Sequence, residues 1–433
     1  MSTLDLTARK EPTFLIPLGR KLAVPALIFA ITFLGYYLSN REPLDWYKHH
    51  VYLADAILHG TLDVKSVGIP DFYQDVVTVD GHKYLPYPPG PAFLLLPFVA
   101  IWGTHFSEAY FSMALGAVNA VLFWYLLDLM KVSRTTKLLM VPFFAFGTVH
   151  FYSATTGTLW FYNHVVAVFF LLIAIIFLLR RTSPIVPALF LGFAFLSRQT
   201  TILAAPFFLY WLWRQHYPSL SSLFSGEALR GRQPYVQIGL FLAGLAPFLG
   251  FYLWYNLVRF DDPLDTGYKT VYYYYVNGGI PYSFYREHFP NAPHFDLFDV
   301  RNIPLHLYTI FLMPPDYHPD WSIFQPSKYG LSIFLTSPAF IYAVLVRRKD
   351  ILKPASWMAV GLVAIPNLLH YSQGWVQYGY RFLLDFAPFL LILTALGFED
   401  NSSPTARRVQ VALIIVSIVA GAWGRYWANL GNW

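Results

Sequence analysis

Apolar residues along this chain gather into long runs instead of alternating with polar ones. The stretches 22–39, 107–130, 138–155, 162–180, 236–257, 329–346, 355–371, 381–398 and 408–426 each approach the roughly 20 apolar residues that a membrane-crossing helix needs. Two shorter apolar pieces, 185–197 and 200–214, are split by Ser197-Arg198-Gln199. A charge at mid-membrane is costly and usually lines a cavity, so these pieces read as two helices meeting at an outer turn. The run 89–103 is short and follows Pro88, Pro89 and Pro91. If it crosses, every later loop changes side. If it only dips in, it is an interfacial or re-entrant helix.

Charge decides between these readings. Basic residues cluster at Lys131/Arg134/Lys137, Arg180/Arg181, Arg214/Arg230/Arg232, Arg347/Arg348/Lys349/Lys353 and Arg407/Arg408. With 89–103 not crossing, all of these fall on the side of the N-terminal Arg9, Lys10, Arg20 and Lys21. That side then holds 18 of the 30 Lys and Arg but only 8 of the 24 Asp and Glu, counting Asp385 near a span. The outer side holds the remaining 12 basic and 16 acidic residues. Lys and Arg in short loops mark the cytoplasmic side. The expectation is an all-α polytopic membrane protein of about eleven transmembrane helices, forming a single domain over 1–433. It is placed in the cell (inner) membrane, with the N-terminus cytoplasmic and the C-terminus outside.

Composition agrees with the pattern. Hydrophobic residues make up 56% of the chain and charged ones 12%, against about 25% charged in soluble domains. Aromatics reach 19%, as suits membrane interfaces. The net charge of +6 reads as cytoplasmic loops, not as a nucleic-acid footprint. Basic residues before an apolar run also mark signal peptides. The run Leu22–Leu38 is long enough to span and no small-residue cleavage site follows it, so it reads as a retained first span. The chain has no cysteine, which excludes disulfides and thiolate metal sites.

Two outer segments are long, 40–106 and 258–328, and both are dense in acids, His and aromatics rather than in linker residues. A protein with bulky outer loops and minimal inner ones is expected to act at the outer surface. In the first loop, Tyr47–His59 reads as a surface helix stopped by Gly60. Asp80-Gly81 reads as a tight turn between Val76–Val79 and Lys83–Leu85. In the second loop, Tyr272–Tyr275, Tyr282, Phe284 and Tyr285 make a Tyr-rich surface of the kind that binds sugars or peptides, or an aromatic belt at the headgroups. Asn302–Pro314 reads as another interfacial helix.

No phosphate-cradling glycine loop, HExxH or GxSxG occurs. His49 and His50 are adjacent and cannot share one helix face, so the sequence offers little for a divalent metal. What remains is a set of carboxylates just outside the first span, facing cations on other helices. Asp45 and Asp55 are the main acids, able to act as general base toward an acceptor hydroxyl or to serve as caps and surface acids. Arg198 lies deep between two apolar pieces. Arg381 opens a span after Tyr378-Gly379-Tyr380, with Asp385 four residues on, a salt-bridge spacing on an α-helix. Arginines so placed match a phosphate bidentately or snorkel at the interface. Asn163-His164 opens the fourth span on the outer side.

The ordered set of stretches resembles bacterial polyprenyl-phosphate-dependent membrane glycosyltransferases of the GT-C class, related to protein O-mannosyltransferases and lipid A aminoarabinose transferases. The likeness is carried by Tyr52–Gly60, Asp80–Tyr84, Tyr87–Pro91 with Leu94–Pro97, Asn163-His164, Gly192–Arg198, Asn256–Pro263, Gly330–Pro338 and Tyr378–Arg381. It implies inverting transfer of a sugar from a lipid-phosphate donor to a glycan, lipid or protein acceptor on the outer face. An acid in the first outer loop would be the base. The family often places Asp or Asp-Glu soon after the first span, where Glu42, Asp45 and Asp55 compete here. Asp45 is the first choice, being nearest the expected place without a following Pro. By the same likeness, Arg198 and Arg381 would hold the donor phosphate and His164 would lie near donor or acceptor. His82, Lys83 and Tyr87 would contribute to substrate binding. No cofactor is implied beyond the lipid-linked donor, which is substrate; a divalent metal is left open. A transporter or lipid flippase built on broken helices, or a non-catalytic export subunit, are the competing readings. Scatter of Asp45, Asp55, Arg198 and Arg381 over separate faces would sink the enzyme reading more broadly.

Overall fold

The computed structural model describes residues 18–217, 232–278, 287 and 295–431. Arg9, Lys10, Arg230, Tyr282, Phe284 and Tyr285, named above, lie outside them. The described chain is a helical membrane protein with two small antiparallel hairpins. Six helices are long and apolar enough to cross a membrane, within Leu22–Ser39, Glu108–Leu129, Leu159–Leu179, Gln233–Phe260, Leu352–Leu369 and Pro404–Leu430. The pair Arg134–Phe146 and Val149–Thr156, bent by 47°, makes a seventh if it is one span.

The spans expected, about eleven, are therefore not all present as long helices, because the apolar runs contain local punctuation. In 138–155, Thr148 starts a new helix, its hydroxyl accepting from the His150 N–H at 3.2 Å. In 329–346, the Ser332 hydroxyl caps Ile333–Thr336 and Pro338 then opens a 3-10 stretch to Leu345. In 381–398, Arg381–Asp385 is 3-10, and the α-helix Ala387–Asp400 begins afresh with Pro388 in its first turn. The 185–214 region folds as Ile185–Phe195, a 3-10 stretch Gln199–Ala204 and Ala205–Arg214, with Arg198 at the turn.

Burial ranks the helices. Of the Leu159–Leu179 window, 78% is buried, so this helix runs through the centre of the bundle; of Leu22–Ser39 only 11% is. The outer helix exposes Leu22, Leu27, Ile31 and Leu34, a face suited to contact with lipid. Glu108–Leu129 and Leu159–Leu179 both start beside the first loop, where the Leu159 N–H donates to Tyr47 O at 3.2 Å and the Ser107 hydroxyl to Asp45 at 3.2 Å. Their far ends meet basic residues. Lys137 pairs with Asp128 and Arg180 lies 4.7 Å over the Tyr125 ring. Nearby, Glu399 joins Ser133 and Arg407, and Arg348 pairs with Asp400 at 2.6 Å.

The first loop folds largely as its turn residues dictate. The helix His49–Leu58 is followed by Gly60 with φ +74°. Val77–Val79 pairs with His82–Tyr84 across Asp80-Gly81, both with positive φ as a type I′ turn requires. Gly90–Trp102 is the short helix expected at 89–103. The Gly90 N–H donates to Leu196 O at 2.7 Å, and a Cβ there would stand 2.5 Å from the same oxygen. Glycine thus lets this helix dock on the turn that carries Arg198. In the second loop, Tyr268–Asn277 and Ile303–Phe311 are helical. The hairpin of Asp316–His318 and Ile323–Gln325 has no signal in the sequence pattern.

Candidate functional site

A cavity of about 850 Å³ opens at the first-loop end of the bundle, walled by residues of both long loops, the Arg198 turn, the 366–382 segment and the last helix. Its lining is rich in aromatic residues, among them Trp46, Tyr47, Tyr87, Trp160, Tyr268 and Trp375. Among the described lining residues the charged groups are Asp75, Arg198, Arg381 and Arg425.

Asp75 is the one carboxylate there. Its Oδ2 accepts from the Tyr87 hydroxyl at 2.6 Å and the Trp160 indole N–H at 2.6 Å, and its Oδ1 accepts from the Tyr275 hydroxyl at 2.7 Å. These donors come from the first loop, the start of the central helix and the second-loop helix. Charge-assisted bonds from three directions fix the carboxylate in place. Burial and then the Asp75 charge push the Tyr87 and Tyr275 hydroxyls above their ordinary range, which keeps both protonated as donors. Asp75 sits in the left-handed region, with φ +57°.

The three arginines differ in how their charge is met. Arg198 forms a bidentate pair with buried Asp385, Nε at 3.0 Å and Nη2 at 2.9 Å. Asp385 also takes His164 Nδ1 at 2.7 Å, the Thr200 hydroxyl at 2.6 Å and Asn367 Nδ2 at 3.2 Å. Arg381 donates from Nη1 to Trp375 O at 3.2 Å, while its buried Nε has no hydrogen-bond partner among the described residues. Its guanidinium lies 5.1 Å from the Phe161 ring centre and 5.4 Å from that of Phe382. Arg425 bonds Thr156 and Asn429. Neither Arg381 nor Arg425 has an ion-pair partner among the described residues, so the cavity carries uncompensated positive charge opposite one fixed carboxylate.

The structure brings together only part of the residues expected from sequence. Arg198, Arg381 and Tyr87 line the cavity. Asp45 and Asp55 do not: Asp45 pairs with Lys48 at 2.9 Å, and Asp55 lies 3.6 Å from His59 on the surface helix. His82 bonds Asp63 at 2.8 Å and Lys83 pairs with Asp71, both on the hairpin away from the lining. His164 is buried behind the wall on Asp385. The expected Arg381–Asp385 bridge is replaced by Arg198–Asp385. In a 3-10 stretch residues three apart eclipse, so a residue four on is turned away. Among the described residues no cluster of three or more His, Asp or Glu could hold a metal ion.

Asp75, Trp160 and Arg425 were missed by sequence reading, while Tyr275 was named only as part of the Tyr-rich stretch 272–275. Asp75 is one of many first-loop acids with no local signature. Arg425 carried a usable signal, since it falls inside the apolar run 408–426 as Arg198 does between its two pieces.

No protein-family model and no curated protein matches the sequence. Among solved structures, the chain is similar to the archaeal oligosaccharyltransferase AglB from Archaeoglobus fulgidus, in complex with an inhibitory peptide and a dolichol-phosphate, at 12% identity and a TM-score of 0.47. The Archaeoglobus fulgidus oligosaccharyltransferase in the apo form matches at 13% identity and a TM-score of 0.46. In both, the match covers 94% of this chain and 56% of the neighbour, so the chain spans little more than half their length. The structural neighbours are thus archaeal oligosaccharyltransferases, at a level of likeness that transfers no residue role to this chain.

Proposed function

We propose that the chain transfers a sugar from a polyprenyl-phosphate donor to a hydroxyl of a glycan, lipid or protein acceptor, with inversion, and that Asp75 is the general base. The observation that carries this reading is the pairing, in one aromatic-walled cavity, of a carboxylate held by three donors with an arginine that has no acid partner among the described residues. Asp75 takes the acceptor's proton as the acceptor oxygen attacks the anomeric carbon. The bond from that carbon to the phosphate oxygen breaks, and the polyprenyl phosphate leaves with the electron pair. Arg381 meets its charge. A guanidinium held between aromatic rings is placed to stabilise the charge of a departing phosphate. Aromatic walls suit a sugar's apolar faces. Arg198, already neutralised by Asp385, shapes the wall and offers its remaining N–H groups. The charge partition supports eleven crossings, a cytoplasmic N-terminus and a site on the outer face of the inner membrane.

The test is transfer from polyprenyl-phosphate mannose and polyprenyl-phosphate glucose by the purified protein in lipid nanodiscs. Asp75→Asn is expected to abolish transfer, while Asp45→Asn and Asp55→Asn retain it. Loss with Asp45→Asn and retention with Asp75→Asn would return the base to the position favoured by sequence.

A further inference from the structure

Arg425 is buried, whereas its neighbour Tyr426 is 57% exposed. The last helix therefore turns Arg425 inward to the cavity and Tyr426 outward. The side chain is not snorkelling to an interface. Its Nε and Nη2 donate to Asn429 Oδ1 at 2.8 and 2.5 Å, and its Nη1 donates to the Thr156 hydroxyl at 3.0 Å. Both acceptors are neutral. A guanidinium has five N–H groups, so one on each terminal nitrogen remains to donate to an oxyanion. A lone buried charge costs several kcal/mol in a dry interior. In the same cavity wall Arg198 is relieved of that cost by Asp385, while Arg425 faces open space.

Arg425 is also set apart from Arg381. It lies 5.5 Å from the Tyr152 ring centre, Tyr152 and Phe161 are 5.4 Å apart edge to face, and Arg381 is 5.1 Å from Phe161. The two guanidiniums thus rest on different rings of one edge-to-face pair, Arg425 on Tyr152 and Arg381 on Phe161. Arg381 is the one assigned above to the donor phosphate.

We propose that Arg425, held in place by Thr156 and Asn429, forms a second oxyanion site that receives a carboxylate or phosphate carried by the acceptor. The inference rests on the sugar-transfer reading for the word acceptor; the anion site itself does not. A purely structural Arg425, tying the last helix to Thr156, would show no anion preference.

The test uses the full-length protein in phosphatidylcholine nanodiscs and calorimetric titration with glucuronic acid, glucose 6-phosphate and glucose. At least one anionic sugar is expected to bind and glucose not to. Arg425→Gln should weaken that binding about tenfold or more, and Arg425→Lys should restore much of it. Repeating the titration in phosphatidylglycerol discs separates the sources: competition marks a lipid-borne anion, and its absence a soluble one. Equal binding by glucose, no anion binding by the wild type, or unchanged binding in Arg425→Gln with an unaltered melting curve would overturn the site. Farnesyl phosphate is titrated in parallel. It should lose affinity with Arg381→Gln and keep it with Arg425→Gln. Indifference of farnesyl phosphate to Arg381→Gln would remove the donor assignment while leaving the Arg425 result to stand alone.

Discussion

Replacing Asp75 with asparagine separates the chemistry of the cavity from its architecture. Oδ2 takes two of the donors, Tyr87 and Trp160, and Oδ1 takes Tyr275. In the Asp75→Asn variant, an amide oriented with its oxygen at the Oδ2 place keeps both of the first bonds. Its NH2 then faces the Tyr275 hydroxyl, which turns from donor to acceptor. The geometry is kept, although charge-assisted bonds become neutral ones at roughly 1 kcal/mol each, so the variant loses some stability but keeps the three contacts and binds donor much as before. The chemical loss is large. A positioned general base contributes about 10²- to 10⁴-fold to rate, or about 3–5 kcal/mol of barrier. The assay is single-turnover transfer from radiolabelled polyprenyl-phosphate sugar, with the anomer of the product read by NMR. The expected outcome is a rate lower by at least about a hundredfold at nearly unchanged donor affinity, with wild-type product inverted. A rate within a few-fold of wild type would refute Asp75 as base. A parallel fall in donor affinity would show that it serves binding.

Other expectations follow from the same geometry. Arg381→Gln should lower kcat at least as much as it raises the donor KM, because the arginine meets charge that develops as the phosphate leaves, with partial recovery in Arg381→Lys, as measured by initial rates over donor concentration. Asp385→Asn should lower thermal stability by about 3–5 kcal/mol, since it strips the charge partner from buried Arg198; a melting curve within a degree or two of wild type would contradict that. Gly90→Ala should destabilise by about 1–3 kcal/mol, because its Cβ would press on the Leu196 carbonyl. His306 is held neutral, pushed down from 6.5 to about 4 by burial, with Nε2 donating to His370 O and Nδ1 accepting from Tyr380. Its contribution is present above pH 6.5 and lost as pH falls toward 4. The melting temperature should drop across that window, and less so in His306→Gln.

The membrane class and the main helices were legible because hydropathy is a sum over many residues. The first-loop features were legible because Gly60 and Asp80-Gly81 carry turn chemistry locally. The number of long helices was not, since Thr148, Pro338 and Pro388 break runs that average as apolar. Within the site, Arg198 could be found because a charge between apolar pieces needs a reason, and Arg425 met the same criterion. Asp75 could not. Its role depends on Trp160 and Tyr275, which lie 85 and 200 residues away in sequence, and nothing near it distinguishes it from Asp45 or Asp55.

The left-handed backbone at Asp75 makes that position a narrow gate for variation. Gly, Asn and Asp enter this conformation most readily, while β-branched and bulky residues resist it. Of those three only Asp bears a charge. Glutamate, the usual conservative exchange, adds a methylene and a backbone penalty together, so it cannot inherit the three-donor cradle intact. Saturation mutagenesis at this position should therefore show folded but inactive Asn and Gly variants and a single active residue, a profile unlike that of an ordinary surface acid.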